Sequence, residues 1–410
     1  MMNYIDLFAG AGGLSEGFVR NGFIPVAHIE MNPNACLTLK TRACYYYLNK
    51  TDQIEQYRKY LAGKITRDEL YSLVPDFELN TVINETMSDQ SMSSIYKQVD
   101  RSIQAKEAES IDLIVGGPPC QAYSLVGRAV SPTGMRDDPR NYLYKLYIRM
   151  LKHYQPKMFV FENVPGLLTA NKGVYFQNIQ DAFNHAGYHI FYKILNAQDF
   201  GVLQSRHRVI IIGWKKKLQV SEPQFHKQET NYTVGSLLSD LPSVQAGESS
   251  NRYKCSKYSI YLRKYGIRQS GDILTWHTAR PNIERDREIY RLVISAWNDN
   301  HTRLKYSELP AELCTHRNRT AFLDRFKVVA ADLPACHTMM AHISKDGHYF
   351  IHPDITQARS ITVREAARIQ SFPDNYYFEG SRTSAFTQIG NAVPPLMAEA
   401  IAKTIAEMLR

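Results

Sequence analysis

Tyr4-Ile5-Asp6-Leu7-Phe8-Ala9-Gly10-Ala11-Gly12-Gly13-Leu14-Ser15-Glu16-Gly17-Phe18 is an apolar run that breaks into glycines and resumes with helical spacing. It reads as a strand, a tight loop and a helix. Gly22 is placed to end that helix, because the position after a helix C-terminus favours positive φ. A second apolar run, Ile24-Pro25-Val26-Ala27-His28-Ile29, ends at Glu30. The whole is a βαβ nucleotide-binding opening. Its glycines let the backbone approach a ligand closely, and an acid at the end of the second strand can bind ribose hydroxyls. Ser15 stands where a dinucleotide fingerprint has its third glycine, which argues against a pyrophosphate ligand. Further apolar runs at 112–115, 158–161 and 208–213 alternate with helical stretches. They predict an α/β, doubly wound, Rossmann-like fold in which these strands extend a parallel sheet.

Two of those strands end in reactive groups. The run Ile111-Asp112-Leu113-Ile114-Val115 leads into Gly116-Gly117-Pro118-Pro119-Cys120-Gln121. Open α/β sheets bind ligands at the carboxyl ends of their strands, and two prolines stiffen the turn that would present the thiol. Met158-Phe159-Val160-Phe161-Glu162-Asn163-Val164-Pro165 brings a carboxylate, Glu162, to the same edge. A carboxyl there can hold or share a proton near neutral pH. A thiol nucleophile beside such a group suits addition to an electron-poor ring followed by protonation of a ring nitrogen. Taken singly, Cys120 could be a small buried hydrophobe and Glu162 a turn cap; together they favour chemistry.

With these blocks in view, the chain resembles the DNA cytosine-5 methyltransferases, in the form of a stand-alone bacterial modification enzyme. The blocks stand in family order, and each position below is what the resemblance implies. Asp6 to Gly13 is similar to the S-adenosylmethionine loop, so Phe8, Ala9, Gly10, Gly12, Gly13 and Leu14 would hold that cofactor, with Phe8 on its adenine. Glu30 matches the ribose-binding acid, with Met31 beside it. Asp89 in Ser88-Asp89-Gln90 is the choice for the third cofactor block, although the usual Gly-Asp-Ile pattern is missing. Pro118-Pro119-Cys120-Gln121 resembles the nucleophile loop, with Pro118 also against the cofactor, and Glu162-Asn163-Val164 the proton-donor strand. Gln204-Ser205-Arg206-His207-Arg208 is similar to the block that holds the target base, with Arg208 on its O2 atom and Arg206 in support. The stretch 364–373 resembles the hinge block. Gln388-Ile389-Gly390-Asn391-Ala392-Val393-Pro394-Pro395 is similar to the block that closes the cofactor pocket, through Asn391 and Ala392. The segment 121–140 would be a mobile loop closing on DNA, with Gln121, Ser124, Arg128 and Arg136, and also Gln204, as DNA contacts.

Composition agrees with this. The 410 residues suffice for a large core and more than one domain. A formal charge of +9 suits a polyanion partner, and an apolar fraction of 44% excludes a disordered chain. The nucleotide-binding strand starts at residue 4, which leaves no room for a leader or membrane anchor, so a cytoplasmic enzyme is expected. The six cysteines form no C-x-x-C pair, as in a reduced protein with one working thiol. Cys314, His316, Cys336 and His337 match no common structural zinc spacing, so no metal is expected. The expected partner is double-stranded DNA, bound by a monomer, with a cognate nuclease conceivable as a separate protein.

The blocks also divide the chain. Residues 1–216 plus 387–410 should form the catalytic S-adenosylmethionine-binding domain, 358–386 a hinge, and 217–357 an inserted, smaller target-recognition domain. The residues about 45–84 read as a decorating insertion, with Thr66-Arg67-Asp68-Glu69 as a capping box. From Ser249 to Gly271 there is no acidic residue; Arg252, Lys254, Lys257, Arg263, Lys264 and Arg268 interleave with Tyr253, Tyr258, Tyr261 and Tyr265. Such a segment can neutralise phosphates and stack on bases, or form a solvated helix face. Lys345-Asp346-Gly347 reads as a hairpin turn, with His337, His342, His348 and His352 around it in structural or phosphate-contacting roles. The end of the chain reads as a helix packing back near the nucleotide loop, with Met397, Ile401, Ile405 and Met408 as its apolar stripe.

Three other readings fit less well. A tRNA methyltransferase on this scaffold is disfavoured by the long recognition region. A catalytically inactive DNA-binding relative is disfavoured by intact Cys120, Glu162 and Arg208. A nicotinamide-dependent oxidoreductase is disfavoured by Ser15.

Overall fold

The computed structural model describes residues 2–119, 142–315 and 323–409. Cys120, Gln121, Ser124, Arg128, Arg136 and His316 lie outside the described residues. The chain begins with β1 (Met2–Leu7), α1 (Gly13–Arg20), β2 (Phe23–Glu30) and α2 (Pro33–Lys50). Helix α1 ends as expected, with Gly22 at φ 81°. Next come α3 (Ile54–Leu61), α4 (Arg67–Ser72), α5 (Asp76–Leu79), β3 (Val82–Asn84), α6 (Met92–Ala105) and β4 (Leu113–Gly116). Beyond residue 141 stand α7 (Leu143–Tyr154), β5 (Met158–Asn163), α8 (Val174–His185), β6 (Tyr188–Asn196) and β7 (His207–Lys215). The rest is largely irregular, with α9 (Ile260–Lys264), α10 (Glu284–Asn300), α11 (Val363–Ile369), α12 (Arg382–Asn391) and α13 (Pro395–Leu409).

Among the described residues, seven strands form one sheet in the order β3-β2-β1-β4-β5-β7-β6. Strands β1 to β5 pair in parallel. The expectation that 208–213 extends the parallel sheet is corrected: β7 is antiparallel to both β5 and β6. Its sequence, His-Arg-Val-Ile-Ile-Ile-Gly, is apolar on both faces, and such a run carries no direction. Strand β6 lies at the sheet's edge, with Tyr192 and Ile194 exposed, and its pattern gave no strand signal.

The two faces of the sheet carry two cores. One gathers Tyr4, Leu113, Val115 and Val160 with Phe18 of α1 and Met397, Ile401 and Ile405 of α13. The other gathers Ile5, Leu7, Ile114 and Phe161 with α6, α7 and α8. A smaller core of Ile289, Tyr290, Val293, Phe326 and Ile351 lies entirely within 289–358. The stretch 217–357 therefore does not share one core, because Val234, Leu237, Tyr261 and Leu262 belong to the main one. The segment 45–84 also is more than decoration: Tyr57, Leu61 and Leu70 pack together with Ile273 and Tyr377.

Buried charge ties the irregular part together. Arg359, Arg364 and Arg368 are fully buried. Arg368 pairs with Asp240 and with Asp374, each at 2.6 Å. Tyr253 donates to Asp374 at 2.7 Å, and Arg268 pairs with Asp240. Arg359 pairs with Glu365, which also closes a capping box with Thr362 at the start of α11. Removing one partner from such a network leaves an uncompensated buried charge, at a cost of about 3–5 kcal/mol. Arg368→Ala should therefore lower the unfolding free energy by about that much, while Arg263→Ala on the exposed face of α9 should change it by less than about 0.5 kcal/mol, measured by urea unfolding.

A second buried pair makes stability depend on acid. Burial alone would raise the Glu16 carboxyl, but Arg42 and Arg20 overcome it and hold it down at about 2. A depressed carboxyl contributes stability above its unfolded value, about 4.3, and loses it as pH falls toward the folded value. Stability should thus decline between about pH 4.5 and 2, and Glu16→Gln should flatten that decline in a series of unfolding curves against pH.

Candidate active site

The cofactor end is built at the carboxyl ends of β1, β2 and β3. Phe8, Gly10 and Gly12 all take positive φ, at 57°, 55° and 78°. This left-handed backbone turns the Gly10 N–H toward Glu30. Glu30 Oε2 accepts from the Gly10 N–H at 2.8 Å, and Oε1 accepts from the Asn32 N–H at 2.8 Å. Each carboxylate oxygen keeps a lone pair for a further donor, such as a ribose hydroxyl. An added Cβ at Gly10 would stand in open space, so the loop leaves a cradle. Met31, 60% exposed, offers an apolar surface beside it. Asn391, at the end of α12, is exposed, and Ala392 packs against Gly13. This donor set fits S-adenosylmethionine: backbone N–H groups, one acid for the ribose and apolar flanks for the base.

Asp89 does not belong to that set. Its side chain is 88% exposed and paired with Arg149 at 2.6 Å, in the connection between β3 and α6. The residue at the end of β3 is Asn84, which sequence reasoning missed. Its Nδ2 donates to the carbonyls of Glu30 and Met31 at 3.0 and 3.1 Å. The only signal was its position directly after the apolar pair Val82-Ile83.

The chemical end lies at β4, β5 and β7. The backbone of Gly116 passes so close to Leu7, and that of Gly117 to Glu162, that a Cβ at either would overlap them. Glycine is required at both positions by this approach. The buried Asn163 donates from Nδ2 to the Pro118 carbonyl at 3.3 Å and so anchors the start of the Cys120 loop. Glu162 is not an isolated carboxyl: Arg208 Nε meets its Oε1 at 2.8 Å, with the two side chains 13% and 14% exposed. The structure thus joins two of the expected catalytic groups into one ion pair, beside the turn that leads to Cys120.

Two residues of the 204–208 block are corrected. Gln204 was expected to contact DNA, but it is fully buried. It donates to the Ile369 carbonyl at 3.2 Å and to Gln370 Oε1 at 2.9 Å, and accepts from the Met339 N–H at 2.8 Å. Arg206 was expected in the catalytic set, but it is also fully buried, donating to the carbonyls of Met339 at 2.6 Å and Gly390 at 3.0 Å. Both are positioning residues that lock the start of β7 to the C-terminal blocks. Gln204 and Arg206 precede β7 and are buried, whereas Arg208, inside β7, reaches Glu162.

The basic segment divides likewise. Arg252, Lys254, Lys257, Arg263 and Lys264 are exposed, as DNA contacts must be. The tyrosines are not free to stack on bases. Tyr261 and Tyr265 are buried in the main core, and Tyr253 and Tyr258 lie under the Arg268 guanidinium at 3.6 and 4.6 Å. Tyrosine spacing alone does not distinguish a stacking platform from a core. The hairpin expected at Lys345-Asp346-Gly347 is absent among the described residues; the turn follows a short 3-10 helix, Ala341–Ser344, and no strand flanks it. Burial pushes His337 and His352 down to about 3 and about 4. His348 is bonded to the Tyr290 hydroxyl at 2.8 Å.

The site thus has the parts of an S-adenosylmethionine-dependent methyltransferase. The family model described as C-5 cytosine-specific DNA methylase matches residues 2–75 and 77–407, and the chain belongs to that family. It is a DNA cytosine-5 methyltransferase, and S-adenosylmethionine is its methyl donor. Among its relatives is the Type II methyltransferase M.Bpa9945I of Bacillus paralicheniformis, 42% identical over 100% of this chain and 99% of that protein. The Type II methyltransferase M1.HphI of Haemophilus parahaemolyticus is 30% identical over 99% and 87%. Of solved structures, a prophage-encoded E. coli chain assigned as a DNA modification methyltransferase shares the fold, with a TM-score of 0.65 and 24% identity over 100% and 99%.

Because Gly117 lies against the Glu162 carboxylate, Gly117→Ala should displace that group without unfolding the protein. Displacements of this order cost on the order of 100-fold in rate. The variant should therefore show such a loss in kcat with an unchanged dissociation constant for S-adenosylhomocysteine, measured by a methylation assay and by titration.

Proposed function

We propose that the protein transfers a methyl group to C5 of a flipped-out cytosine in a specific duplex sequence, through a covalent bond from Cys120 to C6. The observation that carries this reading is the Glu162–Arg208 pair at the carboxyl edge, beside the turn that Asn163 anchors. A cytosine in a duplex hides C5 and C6 in the stack, so it must be extruded at a cost of a few kcal/mol. Arg208 binds the base's O2, while Glu162 stabilises or donates a proton at N3. The Cys120 thiolate adds its electron pair to C6, which makes C5 nucleophilic. The Phe8–Leu14 loop, Glu30 and Asn391 would hold S-adenosylmethionine, whose sulfonium would supply an electrophilic methyl group to C5 and depart as S-adenosylhomocysteine. Loss of the C5 proton then returns the electron pair, breaks the bond to Cys120 and leaves 5-methylcytosine.

In the same reading, the exposed cations at 252–264 hold phosphates, and the irregular part with its own small core reads the sequence. A modification role beside a separate nuclease suits the Type II naming of the relatives. Among the described residues, no helix is long and apolar enough to cross a membrane.

With labelled S-adenosylmethionine, the wild type should label duplex DNA and not tRNA. Cys120→Ala should label neither and should still bind DNA. Normal turnover by that variant, or preferential labelling of tRNA, would refute the reading. Glu30→Ala should weaken S-adenosylmethionine binding by about 1–3 kcal/mol, the loss of charge-assisted hydrogen bonds, and leave DNA binding without cofactor nearly unchanged. Isothermal titration of both ligands checks this.

A further inference from the structure

A cavity of ≈ 320 Å³ opens between the residues that precede β7 and the end of α10. Ser205 and Thr338 line one side, and Trp297, Arg303 and Lys327 line the other. None of its lining residues is acidic. On the β7 side the cavity runs on to the catalytic edge. Gln204 and Cys336 form an isolated parallel bridge. The Ser205 N–H donates to the Cys336 carbonyl at 2.8 Å, and Thr338 Oγ1 donates to the Ser205 carbonyl at 2.7 Å. Ser205 stands three residues before Arg208, which pairs with Glu162. That length of chain reaches at most about 11 Å, less than the ~12 Å width of the major groove of a duplex. A duplex that presents a base to Glu162 and Arg208 therefore has phosphates within reach of the cavity.

The charge in the cavity calls for an anion. Arg303 is exposed and Lys327 half-buried, and neither has an ion-pair partner among the described residues. Lys327 Nζ reaches only the Tyr349 hydroxyl, at 3.4 Å. Burial and then the Arg303 charge lower the Lys327 amine, and the opposing pull of Asp324 and Cys336 does not cancel them. Asp332, nearby, is already occupied by Trp297 Nε1 and His301 Nε2, each at 2.9 Å. His337, also in the lining, adds no charge: its Nε2 donates to the Tyr349 carbonyl at 2.6 Å, and burial keeps the ring neutral. Two cations held together in a partly buried place repel each other, and an anion between them removes that cost. A guanidinium fork and an ammonium suit the oxygens of a phosphate, and the Ser205 hydroxyl is a further donor.

We propose that this cavity is a socket for one phosphate of the DNA strand beside the target cytosine, gripped by Arg303 and Lys327. The proposal rests on the reading that the base binds at Glu162 and Arg208. Arg303→Gln and Lys327→Gln each remove one charge, and Arg303, being exposed, can be replaced without disturbing the fold. Each variant should flatten the slope of log affinity for duplex DNA against log salt by about one unit. The set of methylated sites, mapped by bisulfite sequencing, should stay the same, because a phosphate carries no base identity. Duplexes containing one mapped site are then made with a single neutral methylphosphonate at successive positions beside the methylated cytosine. At one position the wild type should lose affinity at least about tenfold, and the double variant should lose almost none. Methylation of the unmodified duplex by the wild type, and its loss in Cys120→Ala, tests the underlying reading separately. An Arg303→Gln variant with the wild-type salt slope would overturn the proposal. A double variant as sensitive as the wild type to every neutralised phosphate would equally overturn it.

Discussion

Gly13 has no room for a side chain: a Cβ there would overlap the Val393 carbonyl, and one at Gly17 would overlap the backbone of Ala398 and Glu399. This contact between the two ends of the chain is the constraint on which the rest depends. It seats α13 against α1 and brings Asn391 and Ala392 to the glycine loop. The cofactor end can therefore exist only when the whole chain has returned to its start. The intervening residues must leave the sheet and come back, and buried arginines secure that return. Arg206 binds the carbonyls of Met339 and Gly390, and Arg368 binds Asp240 and Asp374. Buried pairs of this kind are weak contributors to stability when intact and costly when broken. Their effect is to make one arrangement of the chain much better than its neighbours.

The parts of this architecture that were legible in the sequence share a physical cause. A buried parallel strand is a short apolar run, and the residues directly after it must lie at the carboxyl edge. The runs before Gly116, Glu30 and Glu162 therefore located the carboxyl edge of the sheet without any structure. Gly22, at positive φ after α1, was legible for a similar local reason. Other features depend on long-range partners that the sequence does not show. Gln204 and Arg206 look like ligand-binding groups because they are polar and alternate. They are buried instead, because carbonyls at 339, 369 and 390 happen to satisfy them. The tyrosines at 253–265 resemble a stacking platform until Arg268 and the main core are seen to cover them. Asp89 was chosen because an acid was sought by residue type, but it lies beyond the end of β3 and pairs with Arg149.

Glu162 and Arg208 meet at the edge of β5 and β7, whose antiparallel pairing sets Glu162 opposite Ile210. Asn163, next in β5, anchors Pro118, so one strand positions both the carboxyl and the start of the nucleophile loop. Gly116 and Gly117 allow this by their lack of side chains. The division of labour is then physical. Rigid strands hold the groups whose geometry must not vary, and the thiol stands directly after two prolines.

The central claim is that Cys120 is the nucleophile that bonds to C6 of the target cytosine. The most direct measurement uses a long mixed-sequence duplex carrying 5-fluorocytosine in place of cytosine, with S-adenosylmethionine present. Fluorine cannot leave C5 as a proton does, so the adduct should persist. The account predicts a denaturation-resistant protein–DNA complex, with mass spectrometry placing the nucleotide on the peptide that contains Cys120. A complex attached through another residue, or none under conditions where unmodified duplex is methylated, would contradict it.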